Sequence, residues 1–113
     1  MYSKELLKGT LKPIILSLLT ENEKMYGYEI TQEVKKRSEG KILLKEGSLY
    51  PTLHSLKKEG LLETSEVKIG NRIRKYYSLT SEGNAKVKAS VKEVFDFMKT
   101  LNSVFNPQLS FSQ

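Results

Sequence analysis

Apolar residues recur along this chain with two different periods. Leu11, Ile14, Ile15, Leu18 and Leu19 fall at the three-four spacing of a buried helical stripe. Thr10 is placed to cap that helix and Pro13 sits in its first turn, so the spacing predicts a helix over Leu11–Glu21. Ahead of it, Leu6 and Leu7 form a short helical lead-in that Gly9 interrupts. A second helix is expected over Tyr26–Ser38, with Tyr26, Ile30 and Val34 on one face and Gly40 ending it. Its other side carries Gln32, Glu33, Lys35 and Lys36 and is mostly solvated. Ile42–Leu44 reads as a short strand. Gly47 and Ser48 then supply turn and cap for a third helix, which buries Leu49, Leu53 and Leu56, admits Pro51 in its first turn and stops at Gly60.

From Leu61 the period becomes that of extended chain. Leu61–Ile69 and Ile73–Leu79 flank Gly70, Asn71 and Arg72, which predicts a hairpin. Its tip and return strand hold Lys68, Arg72, Arg74 and Lys75, opposed between Ser65 and Ser78 only by Glu66. Thr80 caps a last helix with Glu82 in its first turn, complementing the helix dipole. Val87, Val91, Val94, Met98, Leu101 and Phe105 then alternate at four and three, the seam of a coiled-coil-like helix. Three short helices and a hairpin offer limited surface for so long a stripe, so a second chain is the simpler cover, packing on its own domain being the alternative. The tail over 106–113 contains Pro107 and mostly polar residues and is expected to fray.

Composition narrows the functional classes. A length of 113 residues suits one domain, and 38% apolar with 28% charged residues is ordinary for a soluble globular chain rather than a disordered one. The net charge of +6 favours nucleic acid or an anionic membrane as partner. Lys4, Glu5, Lys8 and Lys12 break up the apolar residues of the first segment, so neither a signal peptide nor a spanning helix is expected, and the cytoplasm is the expected location. The absence of cysteine excludes disulfides, thiolate metal sites and cysteine nucleophiles. His54 is the single histidine and stands without paired carboxylates at ligand spacing, so no metal and no cofactor is expected. No nucleophile, base and orienting group converge in a motif, which argues against an enzyme.

Helix, helix, helix, basic hairpin, long helix is the order of a winged helix-turn-helix followed by a dimerisation helix: mainly α, with a small β-hairpin wing. The division is 1–80 for DNA binding, 81–105 for dimerisation and 106–113 as tail. In such an arrangement the third helix enters the major groove and the wing lies along the backbone beside it. The residues expected to meet DNA are Tyr28, Lys45, Ser48, Tyr50, Pro51, Thr52, His54, Ser55 and Lys58 from the helices, with Lys68, Arg72, Arg74 and Lys75 from the wing. Ser48, Thr52 and Ser55 have capping or plain solvation as their bland alternative. Tyr50 lies beside the apolar stripe, where packing and phosphate contact are both open. Tyr26 is assigned to the core, and Tyr28 is the better phosphate donor. A winged helix used for protein contacts, or a ligand-binding module without DNA affinity, is the competing class; the basic hairpin favours DNA over both.

The chain resembles the PadR family of bacterial regulators over roughly Leu6 to Gly83. The resemblance rests on Leu7-Lys8-Gly9-Thr10-Leu11, on Tyr26-Gly27-Tyr28-Glu29-Ile30, on Gly47-Ser48-Leu49-Tyr50-Pro51-Thr52-Leu53 leading into Leu56 and Glu59-Gly60-Leu61, and on Arg74-Lys75-Tyr76-Tyr77-Ser78-Leu79-Thr80 with Glu82-Gly83. Its short length and single terminal helix are similar to the compact subfamily. The resemblance implies a homodimeric repressor on a pseudopalindromic operator, released by a small planar aromatic or other hydrophobic effector. Some compact members hold such compounds at the dimer interface through an aromatic residue of the last helix. Here there is no tryptophan, and Phe95, Phe97 and Phe105 are the aromatic side chains of that helix. Val94, Phe95 and Met98 are the expected effector contacts, and Val87, Val91, Val94, Met98, Leu101 and Phe105 the expected interface.

Overall fold

The computed structural model describes residues 2–109 and Phe111. Its elements are α1 (Lys4–Lys8), α2 (Leu11–Glu21), β1 (Met25–Tyr26), α3 (Gly27–Arg37), α4 (Glu46–Lys58), β2 (Leu62–Ile69), β3 (Arg72–Leu79) and α5 (Ser81–Val104). The chain is mainly helical with one antiparallel sheet of three strands in the order β1-β3-β2. Ile15, Ile30, Leu49, Leu53 and Leu56, one or more from each of α2, α3 and α4, are fully buried and form the centre of the core. α2 buries Leu11, Ile15, Leu18 and Leu19 of the expected stripe and Leu16 besides, because it packs against both α4 and α5, while Ile14 is only half-buried.

Several local readings of the sequence are corrected. Thr10 gives α2 no side-chain cap; its hydroxyl donates to the Leu7 carbonyl at 2.9 Å, closing the corner between α1 and α2. Ile42–Leu44 forms no strand: Leu44 is buried and Ile42 packs on the core, so this run is apolar for packing and not for pairing. The third strand is instead Met25–Tyr26, paired with β3 through Met25↔Tyr77 and Tyr26↔Tyr76. Two residues are too few to show an alternation. α4 begins at Glu46, ahead of the Gly47–Ser48 cap read from sequence, and Pro51 therefore lies beyond its first turn. The Gly47 carbonyl loses an amide partner there, which exposed positions tolerate because water replaces it.

Backbone turns and caps fix the two ends of the wing. At the end of α4, Gly60 takes a left-handed φ of 81°, and the Leu61 and Gly60 amides donate to the Leu56 and Lys57 carbonyls, each at 3.0 Å. This is a Schellman closure, which turns the chain directly into β2. The hairpin register ends on Ile69↔Arg72, leaving Gly70 and Asn71 as the turn, with φ 61° at Gly70. A glycine with positive φ in the first turn position matches a type II′ hairpin. Thr80 then caps α5, accepting from the Gly83 amide at 3.0 Å while its hydroxyl donates to the Gly60 carbonyl at 2.6 Å. A β-carbon at Gly83 would overlap the Leu61 carbonyl, so glycine lets α5 start hard against the end of α4.

α5 has 24 residues, a length of about 36 Å, and the molecule measures 58 × 28 × 22 Å because this helix projects from it. Its first turns pack on α2. Val87 is buried in the chain's own core and Val91 packs against that core, so the seam read as a dimer interface is intramolecular at its start. Val87 is thereby removed from the expected interface. Of the tail expected over 106–113, Ser110, Ser112 and Gln113 lie outside the described residues, and Asn106–Leu109 form a turn closed by the Leu109 amide on the Asn106 carbonyl at 3.1 Å.

Candidate nucleic-acid interface

The exposed side of α4 follows from its spacing. Gly47, Pro51, His54 and Lys58 recur at four and three and are all solvent-facing, with Tyr50 and Lys57 at their flank and Lys45 at the helix start. Lys57 had not been picked out from sequence. Ser48, Thr52, Ser55 and Glu59 form the adjacent row, and that row turns toward α1 and α2. Thr52 donates to the Ser48 carbonyl at 2.9 Å, Ser55 to the Glu59 carboxylate at 3.2 Å, and Glu59 is paired with Lys12 of α2 at 2.5 Å. The three residues whose hydroxyls are expected to face DNA are therefore half-buried beside the outward stripe, with Thr52 bonded within α4 and Ser55 bonded to its C-cap residue.

Of the two roles left open for Tyr50, packing is the one the fold displays. Its ring and hydroxyl lie over the backbone of Gly27, where a β-carbon would overlap them, yet the residue is 43% exposed. α3 thus begins on a glycine because the Tyr50 ring needs the space. Tyr28, one residue on, is exposed at the start of α3 and free of packing duty.

Strand parity divides the four wing cations. Residues paired across β2 and β3 share a face, and alternate residues switch faces. Arg72 and Arg74 lie with Val67, Ser65 and Tyr76 on one face, whereas Lys68 and Lys75 lie with Ile73 and Glu66 on the other. Lys68, Arg72 and Lys75 are exposed, and none makes an ion pair among the described residues. Arg74 differs. Its guanidinium sits 4.0 Å from the centre of the Tyr26 ring, Tyr26 meets Tyr76 edge-on with centroids 5.5 Å apart, and the Lys24 ammonium lies 4.6 Å from the Tyr76 ring. Tyr26 is half-buried in this ladder rather than in the core. The period-two alternation of Arg72, Arg74 and Tyr76 was visible in sequence; Lys24 and Tyr26, some fifty residues away, carried no signal of belonging to it.

The outer part of α5 exposes Phe95, Phe97, Met98 and Val104, followed by Phe105 at its C-cap, with Val94 and Leu101 half-buried. Beside it an apolar hollow of about 460 Å³ lies between α2, the end of α3 and α5, lined among others by Pro13, Ile14, Val34, Ile42, Val94 and Phe95. Of the three expected effector contacts, Val94 and Phe95 border this hollow and Met98 does not. Arg37 stands at its edge but is held by Glu21 at 2.8 Å and Glu33 at 2.7 Å. Among the described residues no cluster suited to a metal ion occurs, and no helix is long and apolar enough to cross a membrane.

This geometry has relatives. The model of the PadR-like family of transcriptional regulators matches residues 15–89, from α2 through the wing into α5. The chain is 32% identical over 82 residues to the transcriptional regulator Rv3488 of Mycobacterium tuberculosis, covering 73% of each protein. A transcriptional regulator from Clostridium thermocellum has a similar structure, with a TM-score of 0.83 and 29% identity over 91% of this chain and 100% of that one. A PadR family regulator from Eggerthella lenta gives 0.77 at 27% identity, covering 91% and 88% respectively. A match that spans the helix-turn-helix, the basic hairpin and the root of the last helix places the protein: the chain belongs to the PadR-like family of transcriptional regulators.

Proposed function

We propose that this DNA-binding transcription regulator acts as a repressor in the form of a twofold homodimer. The supporting observation is that its two unpartnered surfaces have complementary requirements: α4 and the wing present cations, and the outer half of α5 presents apolar side chains. In this reading the outward stripe of α4, with Pro51, His54 and Lys58, enters the major groove, and Ser48, Thr52 and Ser55 line its edge. Tyr28, Lys45, Tyr50, Lys68, Arg72 and Lys75 reach flanking phosphates. Val94, Met98, Leu101 and Phe105 of one chain cover the hollow beside α2 of the other. Two recognition helices related by a twofold require an inverted repeat whose half-sites are about 10 bp apart or a multiple of that.

The same hollow supports an effector reading. A small hydrophobic or aromatic molecule seated beside Val94 and Phe95 would compete with the partner helix and change the spacing of the two α4 helices, releasing the operator. The test of the DNA reading is a mobility shift on the DNA upstream of the gene at two salt concentrations. A complex that weakens steeply with salt is expected, because each neutralised phosphate releases counterions. No complex at low salt would overturn the reading.

A further inference from the structure

The wing is a two-stranded ribbon with little beneath it. Beyond Val67 its residues are exposed, Ile69 to 44% and Ile73 to 67%, and an isolated hairpin is marginal in water. Its direction relative to α4 is therefore set at its base. There the two-residue β1 supplies only two paired positions, Met25↔Tyr77 and Tyr26↔Tyr76. What adds to them is the ladder on the outer face of the sheet, running Lys24, Tyr76, Tyr26, Arg74, with cations at both ends and rings between. Tyr26 is in turn fixed by α3, since its amide donates to the Glu29 carboxylate at 3.1 Å. The chain of contacts leads from the first turn of α3 to the middle of β3.

We propose that Arg74 is a positioning residue, which clasps the wing to the start of α3 through the Tyr26 ring and so fixes the angle at which Arg72, Lys68 and Lys75 meet the DNA backbone. This rests on the DNA-binding reading, and it separates Arg74 from the other wing cations. A planar guanidinium over a ring is committed to that geometry; a lysine ammonium can approach a ring, as Lys24 does Tyr76, but does not reproduce the planar contact. Arg72 is only two residues away but exposed and unstacked.

The counterion slope distinguishes the two roles. A cation that neutralises a phosphate contributes about 0.9 to the slope of log affinity against log salt, whereas one that only steadies the wing neutralises none itself and leaves the slope in place while Arg72, Lys68 and Lys75 still reach theirs. With random-sequence duplex DNA as probe, Arg72→Ala should lower affinity and flatten the slope by about one unit. Arg74→Ala should lower affinity roughly tenfold with the slope retained. Arg74→Lys should recover only part of the loss seen in Arg74→Ala, and Tyr26→Leu should resemble Arg74→Ala without adding to it. A second readout needs no DNA: amide exchange in β3 should quicken in Arg74→Ala and stay unchanged in Arg72→Ala. Unchanged exchange, or a slope lowered by about one unit in Arg74→Ala and restored by Arg74→Lys, would overturn the proposal. If the wild-type chain bound no duplex at all, the DNA reading would fail while the exchange measurement still decided the clasp.

Discussion

The wing and the outer half of α5 both project from the core, and both expose most of what they carry. The wing exposes Lys68, Arg72 and Lys75, whereas α5 beyond Val91 exposes Phe95, Phe97, Met98 and Phe105. Solvated charges stand in water at little cost. Exposed apolar surface forgoes about 25 cal/mol for each Å² left uncovered. In the proposed reading, equal exposure calls for different partners: a polyanion for the wing, and another apolar surface for the helix. The contrast also runs within α5, whose stripe is one pattern in sequence but divides near Val91 into a half already covered by α2 and a half still open.

The largest effect should come from placing charge on the open half. Val94→Asp combined with Leu101→Asp should leave a folded chain by circular dichroism yet abolish self-association and, with it, operator affinity. Unfolding of that variant without prior dissociation would show that the outer half supports the monomer fold, and the division within α5 would collapse. The next effect belongs to the covered half. Gly83→Ala forces a β-carbon onto the Leu61 carbonyl and should cost about 1–3 kcal/mol in denaturant unfolding. A neutral outcome would mean that the root of α5 is not held where the wing begins.

A smaller effect sharpens the DNA side. The Lys12 ammonium hydrogen-bonds the Glu59 carboxylate and holds it below the ordinary carboxylate range. Since the folded value is lowered, the pair stabilises above the ordinary range and its contribution is lost as pH falls through the folded value. Both side chains are nearly half exposed, so screening limits the contribution to about 0.5 kcal/mol. Glu59→Gln should remove only that acid-side loss in a stability profile against pH. A destabilisation that persists equally at acid pH would assign the effect to packing instead.

The parts of this fold that were legible in sequence are those with enough residues to show a period. Leu49, Leu53 and Leu56 marked α4, and Leu61–Ile69 with Ile73–Leu79 marked the hairpin. β1 was not legible, because Met25 and Tyr26 become a strand only by pairing with Tyr77 and Tyr76 far along the chain. Ile42–Leu44 misled for the converse reason, being apolar without a partner edge. At the candidate site, basic character was plain, but its division was not. Arg72 and Arg74 look alike in the chain, and only the ring of Tyr26 beneath Arg74 separates them. Val87 likewise shared its spacing with Val94, and the distinction lay in α2, which covers one and leaves the other half open.

The most direct test of the account is the mass of the complex on its operator. Sedimentation of the wild-type chain at micromolar concentration, alone and with the DNA protected in footprinting, measures how many chains assemble and on what symmetry. The account predicts a dimer without DNA and two chains on one inverted repeat, with protection on one face of the duplex. A monomer in solution that protects a single isolated half-site would contradict it.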